Sequence, residues 1–580
     1  MKNSKDQNPT WILPKKNKRL CDQFINEFSL HPVLAQVLIS RGFKKIADVH
    51  EFLYAKLPQL HDPFLFEDMD KAVKRVFKAL KNNENILIYG DNDVDGITGT
   101  SLLTEFLRYI NANTFYYIQN RTTTKGSVIL DALDFAKRNT CSLLITVDCG
   151  ITAANEIKEA AEAGVDVIVT DHHEPTAKLP HCIATLNPKL LTSTYPNRDL
   201  TGVGVAFKLV HALTNELVAS GKISPTKIDL KRYLDLVALG TIADMGALIG
   251  ENRILVRYGL RQVRRTKRVG LIKLLEVSEV KVSDINTMDV ASKVAPRVNS
   301  LGRIADPTKG VELLLVRNAK IAEQLARDLD LNNIERQKIE RRDSEEIESY
   351  IDKNPQILDH RAIVLYSNKW HPGIIPIITA RISKQYNRPT IIIAIEKGVG
   401  KGSLRTIPQF PLLTHLHILS KHLINFGGHD FAAGLTILEG EIPEFKEKFI
   451  DNADKLLKKN DILPKLQLDA SVSFEDLTYD FMESLSLLEP FGTENPAPIL
   501  YTKAKQVWPP KIVGKAHLKL YLEQEDRQLE GIGFNLANKK SQITKKDAIV
   551  QVAFTPHINT FLNKSSIQLQ VRDAKIWEEA

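Results

Sequence analysis

The sequence predicts an α/β protein of several domains: two α/β lobes joined by a long helix, then a small antiparallel β-barrel. Three observations predict this. Residues 84–260 alternate short apolar runs with helical stretches, the pattern of a parallel sheet covered by helices. From about 311 to 352 there is no Gly or Pro, and Ile321, Leu325 and Leu329 recur at four-residue steps amid many Glu and Arg. That spacing predicts one long, charged, partly exposed helix of the kind that bridges two lobes. From about 465 the texture changes to short alternating apolar runs with turn residues between them, as in a small barrel. A chain of 580 residues has room for such a set, at roughly 150 residues per domain.

Each element has its own reason. Residues 1–83 mix short helical patterns and loops, with Trp11 early and Pro58 and Pro63 later, and read as a helical segment packed on the first lobe. The first lobe, 84–305, takes its strands from 86–89, 115–118, 143–147, 165–169 and 183–186, with an Ala- and Glu-rich helix at 151–163. The connecting helix is assigned to 306–352. In the second lobe, 353–462, strands are expected at 362–366, 390–395 and 435–438, with a helix after His371-Pro372-Gly373. The barrel, 463–580, draws strands from 518–522, 529–534, 548–554 and 566–571.

Composition narrows the class. With 43% hydrophobic residues, packed cores are possible and global disorder is not expected. Cys21, Cys141, Cys149 and Cys182 have no CxxC spacing, which fits a reducing cytosol better than a disulfide framework or zinc site. The first residues lack the apolar core of a signal peptide, and no apolar run approaches the ~18 residues of a membrane span. A soluble cytoplasmic protein is expected. The net charge of +8 permits a nucleic-acid partner without requiring one, since surplus surface lysine gives the same number.

The chemistry sits at three strand ends. The first strand runs into Gly90-Asp91-Asn92-Asp93-Val94-Asp95-Gly96, the third into Asp148-Cys149-Gly150, and the fourth, after Thr170, into Asp171-His172-His173. In an open α/β sheet such carboxyl ends converge on one crevice. Oxygen donors with a histidine there read as a metal site for phosphate chemistry. Asp91, Asp93 and Asp95 also match the start of an EF-hand loop, but its twelfth position is Leu102 and its leading segment is strand-like. The plain alternative is a solvated acidic turn, yet three acids at a strand end repel one another without a cation. Asp148 could bridge two cations about 3.5–4 Å apart. His172 suits a neutral nitrogen ligand, leaving His173 to face substrate. Asp235, an acid in an otherwise apolar stretch, is a further ligand candidate, because a buried carboxylate is costly unless paired or metal-bound. Asp244 is its competitor, nearer the segment's end and easily read as a cap. Two glycine motifs are look-alikes. Gly398–Ser403 lacks phosphate-loop spacing, and Gly202-Val203-Gly204 lacks the third glycine and the leading strand of a dinucleotide fingerprint.

Taken in order, these motifs resemble the DHH phosphoesterase superfamily, and the chain from about 84 to 575 resembles its bacterial RecJ single-strand-specific exonucleases. Ala295-Pro296-Arg297-Val298-Asn299-Ser300-Leu301-Gly302-Arg303 resembles the family's approach to its connecting helix. Trp370-His371-Pro372-Gly373, Gly402-Ser403-Leu404-Arg405-Thr406 and Phe426-Gly427-Gly428-His429 resemble the DHH-associated domain. Leu488-Glu489-Pro490-Phe491-Gly492-Thr493-Glu494-Asn495-Pro496 resembles the entry to an OB-fold domain.

The resemblance implies two divalent cations, Mn²⁺ or Mg²⁺, on Asp93, Asp95, Asp148, His172 and Asp235, with Asp91 completing one shell and His173 stabilising phosphoryl oxygens. It implies that Arg121, Ser403 and Arg405 hold a 5′-terminal phosphate, a task that suits the planar arginine fork. Asn299, Arg303, His371 and His429 would be further substrate contacts. Trp508 and Phe534 are candidates for base stacking, with core packing the plainer role. The implied activity is 5′-to-3′ hydrolysis of single-stranded DNA in recombination and repair. A monomer is implied, with a single-strand-binding protein and a repair helicase as partners. The sequence departs from the family pattern at Asn92, where an aromatic is usual, at Gln119, at 122–126, at Pro376 and at Met245-Gly246. Two rivals are weighed: a phosphoesterase for oligoribonucleotides or cyclic dinucleotides, which needs no strand-gripping barrel, and a non-catalytic nucleic-acid-binding scaffold, which needs no intact acids.

Overall fold

The structure, a computed structural model, describes residues 8–120, 128–224, 226–544, 548–561 and 564–577. These form two compact units. One comprises Ala55–Arg342 and Pro490–Asn495; the other comprises the described part of Met1–Tyr54, with Asp343–Glu489 and Pro496–Ala580.

The first unit is built on a five-stranded parallel sheet. Its strands are β1 (Asn85–Gly90), β2 (Asn113–Ile118), β3 (Cys141–Val147), β4 (Asp166–Thr170) and β5 (Ala184–Leu186), in the order β2-β1-β3-β4-β5. The continuous apolar runs serve a sheet covered on both faces. Ile86 and Ile88 enter one core with Leu102 and Phe106, whereas Leu87 and Tyr89 enter another with Leu133 and Ile157. Helix α1 (Val94–Tyr109) follows β1, and α2 (Ala154–Glu162) follows β3. After β5 come α3 (Gly202–Ala219), α4 (Leu234–Ala243) and α5 (Ala295–Ile304). Helix α4 is apolar on every side because it is buried on every side, packed against α1 and α3. The chain leaves β1 toward β2 and returns to add β3 on β1's other edge. The carboxyl ends of β1 and β3 therefore flank the topological switch point, where open α/β sheets hold ligands.

The connecting segment differs from the single helix expected over 306–352. A helix at Thr308–Leu315 ends, and α6 (Ala319–Lys353) begins anew. The break has a local cause: Asn318 Oδ1 accepts from Lys320 N at 2.9 Å and Ile321 N at 3.2 Å, capping the second helix.

The second unit contains a five-stranded sheet and the barrel. The sheet strands are β6 (Ile363–Ser367), β7 (Thr390–Glu396), β8 (Val399–Arg405), β9 (Leu423–His429) and β10 (Ala432–Leu438), ordered β9-β10-β8-β7-β6, with only β6 and β7 parallel. Helix α7 (Ile375–Tyr386) packs on β7 and β8, with Pro376 in its first turn, where proline is tolerated. The barrel strands are β11 (Leu500–Val513), β12 (His517–Gln524), β13 (Arg527–Gly533), β14 (Ile549–Phe561) and β15 (Lys564–Ile576). They close through antiparallel β11–β14 and parallel β13–β15 pairing, as in an OB fold.

The amino-terminal segment corrects an expectation. Only its later part, including the helix Met69–Lys81, belongs to the first lobe. The described residues before Ala55 join the barrel's unit: Thr10–Ile12 pairs in parallel with Lys465–Gln467, Trp11 Nε1 donates to Asp573 at 2.7 Å, and Ser40 Oγ donates to Asp469 at 2.9 Å. Asp469 and Asp573 are buried, and the segment adds donors to those that Ile499 N gives Asp469 and Lys539 gives Asp573, which together make their burial tolerable. The four cysteines are free thiols, and no helix among the described residues is long and apolar enough to cross a membrane.

Candidate active site

The strand ends of the first unit bring their acids together. Asp93 caps α1, its Oδ1 accepting from Asp95 N at 2.9 Å and Gly96 N at 3.1 Å. This turns Asp95 into the first helical turn, buried against α3, whose Gly202 N and Val203 N donate to its two oxygens at 2.7 and 2.9 Å. Asp148 leaves β3 with φ 61°, a left-handed conformation that aspartate tolerates better than most residues, and its N–H is fixed by Thr170 O at 2.9 Å. His172 Nε2 lies 3.0 Å from Asp148 Oδ1 and 3.6 Å from Asp244 Oδ2.

Asp171 sets that loop. Its Oδ1 accepts from His172 N at 2.7 Å and His173 N at 3.1 Å and lies 2.7 Å from His173 Nδ1, while Oδ2 accepts from Ile151 N at 2.9 Å. Burial works against the Asp171 carboxylate, but the His173 hydrogen bond and charge hold it below the usual carboxylate range. The same pair acts on His173: burial would lower it, yet Asp171, with Asp91 and Asp244, pushes it up to about 9. His173 is the more exposed of the two histidines, at 43% against 13% for His172. It is therefore the one able to meet a substrate.

The donor atoms fall into overlapping sets. Asp91, Asp93 and Asp148 form one cluster, Asp95, His172 and Asp244 a second, and Asp148 also clusters with His172 and His173; within each set the ligand atoms lie within 4.8 Å of one another. Among the described residues no Lys or Arg forms an ion pair with Asp95, Asp148 or Asp244. Burial, with the neighbouring carboxylates, raises Asp95 and Asp148 well above the ordinary range and pushes Asp244 up to about 7. Asp148 Oδ1 is buried and accepts no hydrogen bond among the described residues. Buried carboxylates turned toward one another fit a divalent cation far better than they fit an empty pocket. The residues present can hold two, Asp148 of the first triad lying against His172 of the second.

Asp235 is not among them. It lies in the first turn of α4, where its Oδ2 accepts from Thr266 Oγ1 at 2.8 Å and Arg268 Nε at 3.3 Å. Its charge is already spent on an arginine. Asp244, at the carboxyl end of the same helix, takes the place expected of it. The signal was available: nine residues of helix separate the two by roughly 13 Å, so both could not reach one crevice. An acid in a first helical turn is also favoured there for ordinary reasons. Sequence reasoning also missed the start of α3, the element that holds Asp95.

The remaining expected contacts are placed as follows. Asn299 Oδ1 accepts from Val94 N at 3.1 Å, which fixes the start of α1 beside Asp93. Arg303 lies in the last turn of the same helix, α5. Arg121 lies outside the described residues. In the second unit, Arg405 pairs across to Ala432, and Ala432 to His429, so the three form one row over β8, β10 and β9. The adjacent row on that face is Ser403, Gly434 and Gly427, with no side chain on two of three positions. His371 stands just ahead of α7, its N–H on Asp343 at 3.0 Å and its Nδ1 accepting from Gly373 N at 3.1 Å. In the barrel, Trp508 is 61% exposed and Phe534 53% exposed, so neither is core. Trp508 pairs with Tyr521, whose ring lies 5.8 Å from Lys511 Nζ and 5.0 Å from Lys519 Nζ.

This geometry agrees with known proteins. Residues 85–241 match the model of the DHH family, N-terminal domain; 359–459 match the DHHA1 domain; and 468–573 match the RecJ OB domain. The single-stranded-DNA-specific exonuclease RecJ of Bacillus subtilis is 35% identical over 572 residues, covering 98% of this chain and 71% of the relative. The chain belongs to the RecJ exonuclease family. The RecJ of Escherichia coli is 31% identical over 564 residues, covering 94% of this chain and 96% of the relative. Among solved structures, RecJ of Thermus thermophilus in complex with Mn²⁺ superposes with TM-score 0.82 at 28% identity, covering 98% of this chain and 80% of that one. The same RecJ in complex with Mg²⁺ gives TM-score 0.76 at 26% identity, over 98% and 79%.

Proposed function

We propose that this chain degrades single-stranded DNA stepwise from the 5′ end, in the cytoplasm, as part of recombination and repair. One observation carries the reading: the donor triads Asp91/Asp93/Asp148 and Asp95/His172/Asp244 are joined where Asp148 Oδ1 lies 3.0 Å from His172 Nε2, at the switch point of a RecJ-family lobe. Bound Mn²⁺ or Mg²⁺ would supply a lowered water pKa and neutralise charge on the leaving oxygen. The chain's own residues do the rest. Asp171 holds His173 oriented through Nδ1, so its Nε2 side can donate to a phosphoryl oxygen as charge develops there. Asn299 keeps the start of α1, and with it Asp93 and Asp95, in register with the loop. Ser403, Arg405 and His429 offer the donors for a phosphate of the strand. The bare glycines beside them let a sugar–phosphate backbone approach closely. Exposed Trp508, paired across strands with Tyr521, whose ring lies near Lys511 and Lys519, and exposed Phe534 are the barrel's stacking surfaces for bases further along the strand. A single-strand-binding protein and a repair helicase are the partners this role implies for a monomeric enzyme.

The test is direct. End-labelled single-stranded DNA, duplex DNA and dinucleotide are each incubated with Mn²⁺ and with chelator. Label released first from the 5′ end of single strands, only with metal, supports the reading. Preferred hydrolysis of the dinucleotide points to the small-substrate rival, and binding without hydrolysis to the scaffold.

A further inference from the structure

The segment Thr201-Gly202-Val203, at the start of α3, looks in sequence like a failed dinucleotide fingerprint. In the structure it touches the candidate site at several points. Gly202 N donates to Asp95 Oδ2 at 2.7 Å and Val203 N to Asp95 Oδ1 at 2.9 Å, both charge-assisted bonds from a helix amino terminus. On its other side, a Cβ on Gly202 would lie 2.5 Å from Asp148 Cβ and 2.6 Å from Asp148 Oδ1. Gly202 does not have positive φ, so the backbone conformation does not demand glycine there; the approach of Asp148 does. Thr201 reaches the third carboxylate's helix. Its Oγ1 is 3.0 Å from Thr241 Oγ1 in α4, and its Cγ2 lies 2.5 Å from where a Cβ on Gly246 would be, in the turn that follows α4, so it packs on the chain on either side of Asp244.

We propose that Thr201-Gly202-Val203 is a positioning clamp that fixes the separation of Asp95 and Asp148, and so the capacity of the two triads to hold two cations at once. The clamp rests on the metal reading proposed above. Asp148 has no room to yield, since its N–H is tied to Thr170 O and its side chain is buried. A methyl group at 202 must therefore displace either that carboxylate or the helix start that holds Asp95, and either changes the separation of the two acids. Such a shift is large against the tolerance of a metal–oxygen bond, about 0.2 Å. Each amide bond uses one lone pair on an Asp95 oxygen, so the other lone pairs stay available.

The test compares wild type, Gly202→Ala and Gly204→Ala by Mn²⁺ titration, read as free Mn²⁺ by electron paramagnetic resonance. Circular dichroism and melting in EDTA are recorded alongside. Gly204→Ala is the matched control: the nearest atoms to its added methyl are Leu200 Cδ1 at 2.7 Å and Cγ at 2.8 Å, then the Thr201 hydroxyl at an ordinary 3.6 Å, with no carboxylate among them. The clamp predicts that Gly202→Ala stays folded in EDTA but binds Mn²⁺ about 10–100-fold more weakly or loses one equivalent. Mn²⁺ should raise its melting temperature less than it raises that of wild type. Gly204→Ala should lose some melting temperature in EDTA and keep the wild-type Mn²⁺ curve. A wild-type Mn²⁺ curve in Gly202→Ala overturns the clamp, as does equal weakening in Gly204→Ala, which would mean generic loosening of the helix start. If Gly202→Ala does not fold, Thr201→Val decides: it keeps its shape, loses the bond to Thr241, and should bind Mn²⁺ several-fold more weakly; unchanged binding overturns the clamp. A wild-type protein that binds no Mn²⁺ overturns the metal reading itself, and the clamp with it.

Discussion

Helix α4 carries a buried aspartate in its first turn and a half-buried one at its carboxyl-terminal cap, and their surroundings are opposite. Asp235, in the first turn, accepts from Thr266, Arg268 and its neighbour Leu236 N, while Arg268 also pairs with Glu105, and Glu105 with Arg232 at 2.6 Å. Every charge in that network has a partner. Asp244, at the other end, faces His172 and, through burial and the nearby Asp93, is pushed up to about 7. The contrast teaches that burial of an acid does not mark a metal ligand. What marks it is burial without an internal cation. The Asp235 network holds structure together; the Asp244 cluster is left short of positive charge that a bound ion can supply.

That contrast can be broken by mutation. The largest effect is expected at the shared donor: Asp148→Ala should abolish Mn²⁺-dependent cleavage while leaving strand binding, measured by fluorescence anisotropy, largely intact. Retained metal-dependent cleavage in that variant would sink the two-cation assignment. The two ends of α4 should then fail in different ways. Asp235→Ala leaves Arg268 partly uncompensated and should cost about 3 kcal/mol of unfolding free energy in urea, with Mn²⁺ affinity of the folded protein unchanged. Asp244→Asn should not lower stability in EDTA, because it removes repulsion, yet should weaken Mn²⁺ binding about 10–100-fold. The reverse pattern would exchange their roles.

Smaller effects test the edges of the account. Trp508→Ala should cost about 1–3 kcal/mol of single-stranded DNA affinity if a base stacks there. It should leave Mn²⁺ binding alone; unchanged DNA affinity would return the tryptophan to an ordinary surface role. A second compensated network gives a pH signature that metal cannot alter. Lys208 is fully buried, donates to His61 O at 2.8 Å and pairs with Glu251, whose other oxygen accepts from Tyr195 OH at 2.5 Å. Burial, then the Lys208 charge, pushes neighbouring His211 down to about 4. The unfolded chain takes up that proton near pH 6.5 and the folded chain does not, so stability from this group is present above about 6.5 and lost as pH falls toward 4. Melting in EDTA and in Mn²⁺ should show the same acid-side loss, and His211→Leu should flatten it. A loss that Mn²⁺ abolishes would place its origin in the carboxylate cluster instead.

Much of this was legible in the sequence, for identifiable reasons. The five strands of the first lobe announce themselves because a doubly covered parallel sheet needs uninterrupted apolar runs, and their acidic ends then fall at one switch point. The strands β8 and β9 were not legible. They are glycine-rich, and in β8 Gly400 and Gly402 leave room that Ile393, Leu435 and Ile437 fill from neighbouring strands. Strand β11 was hidden by Pro509-Pro510 and by two register shifts around Trp508. The pairing of Thr10–Ile12 with Lys465–Gln467 joins segments far apart in the chain, and no local pattern reports it. Asp244 ranked behind Asp235 because its meaning depends on what is absent around it, a property of the folded neighbourhood rather than of spacing.

The central claim is that Asp148 is shared between two cations and that Asp244, not Asp235, completes the second site. Anomalous diffraction at the manganese edge from Mn²⁺-soaked crystals tests it most directly. The account predicts two peaks, both at coordination distance from Asp148, one of them also contacting Asp95, His172 and Asp244, with none at Asp235. A single peak that Asp148 does not share, or density beside Asp235, would contradict it.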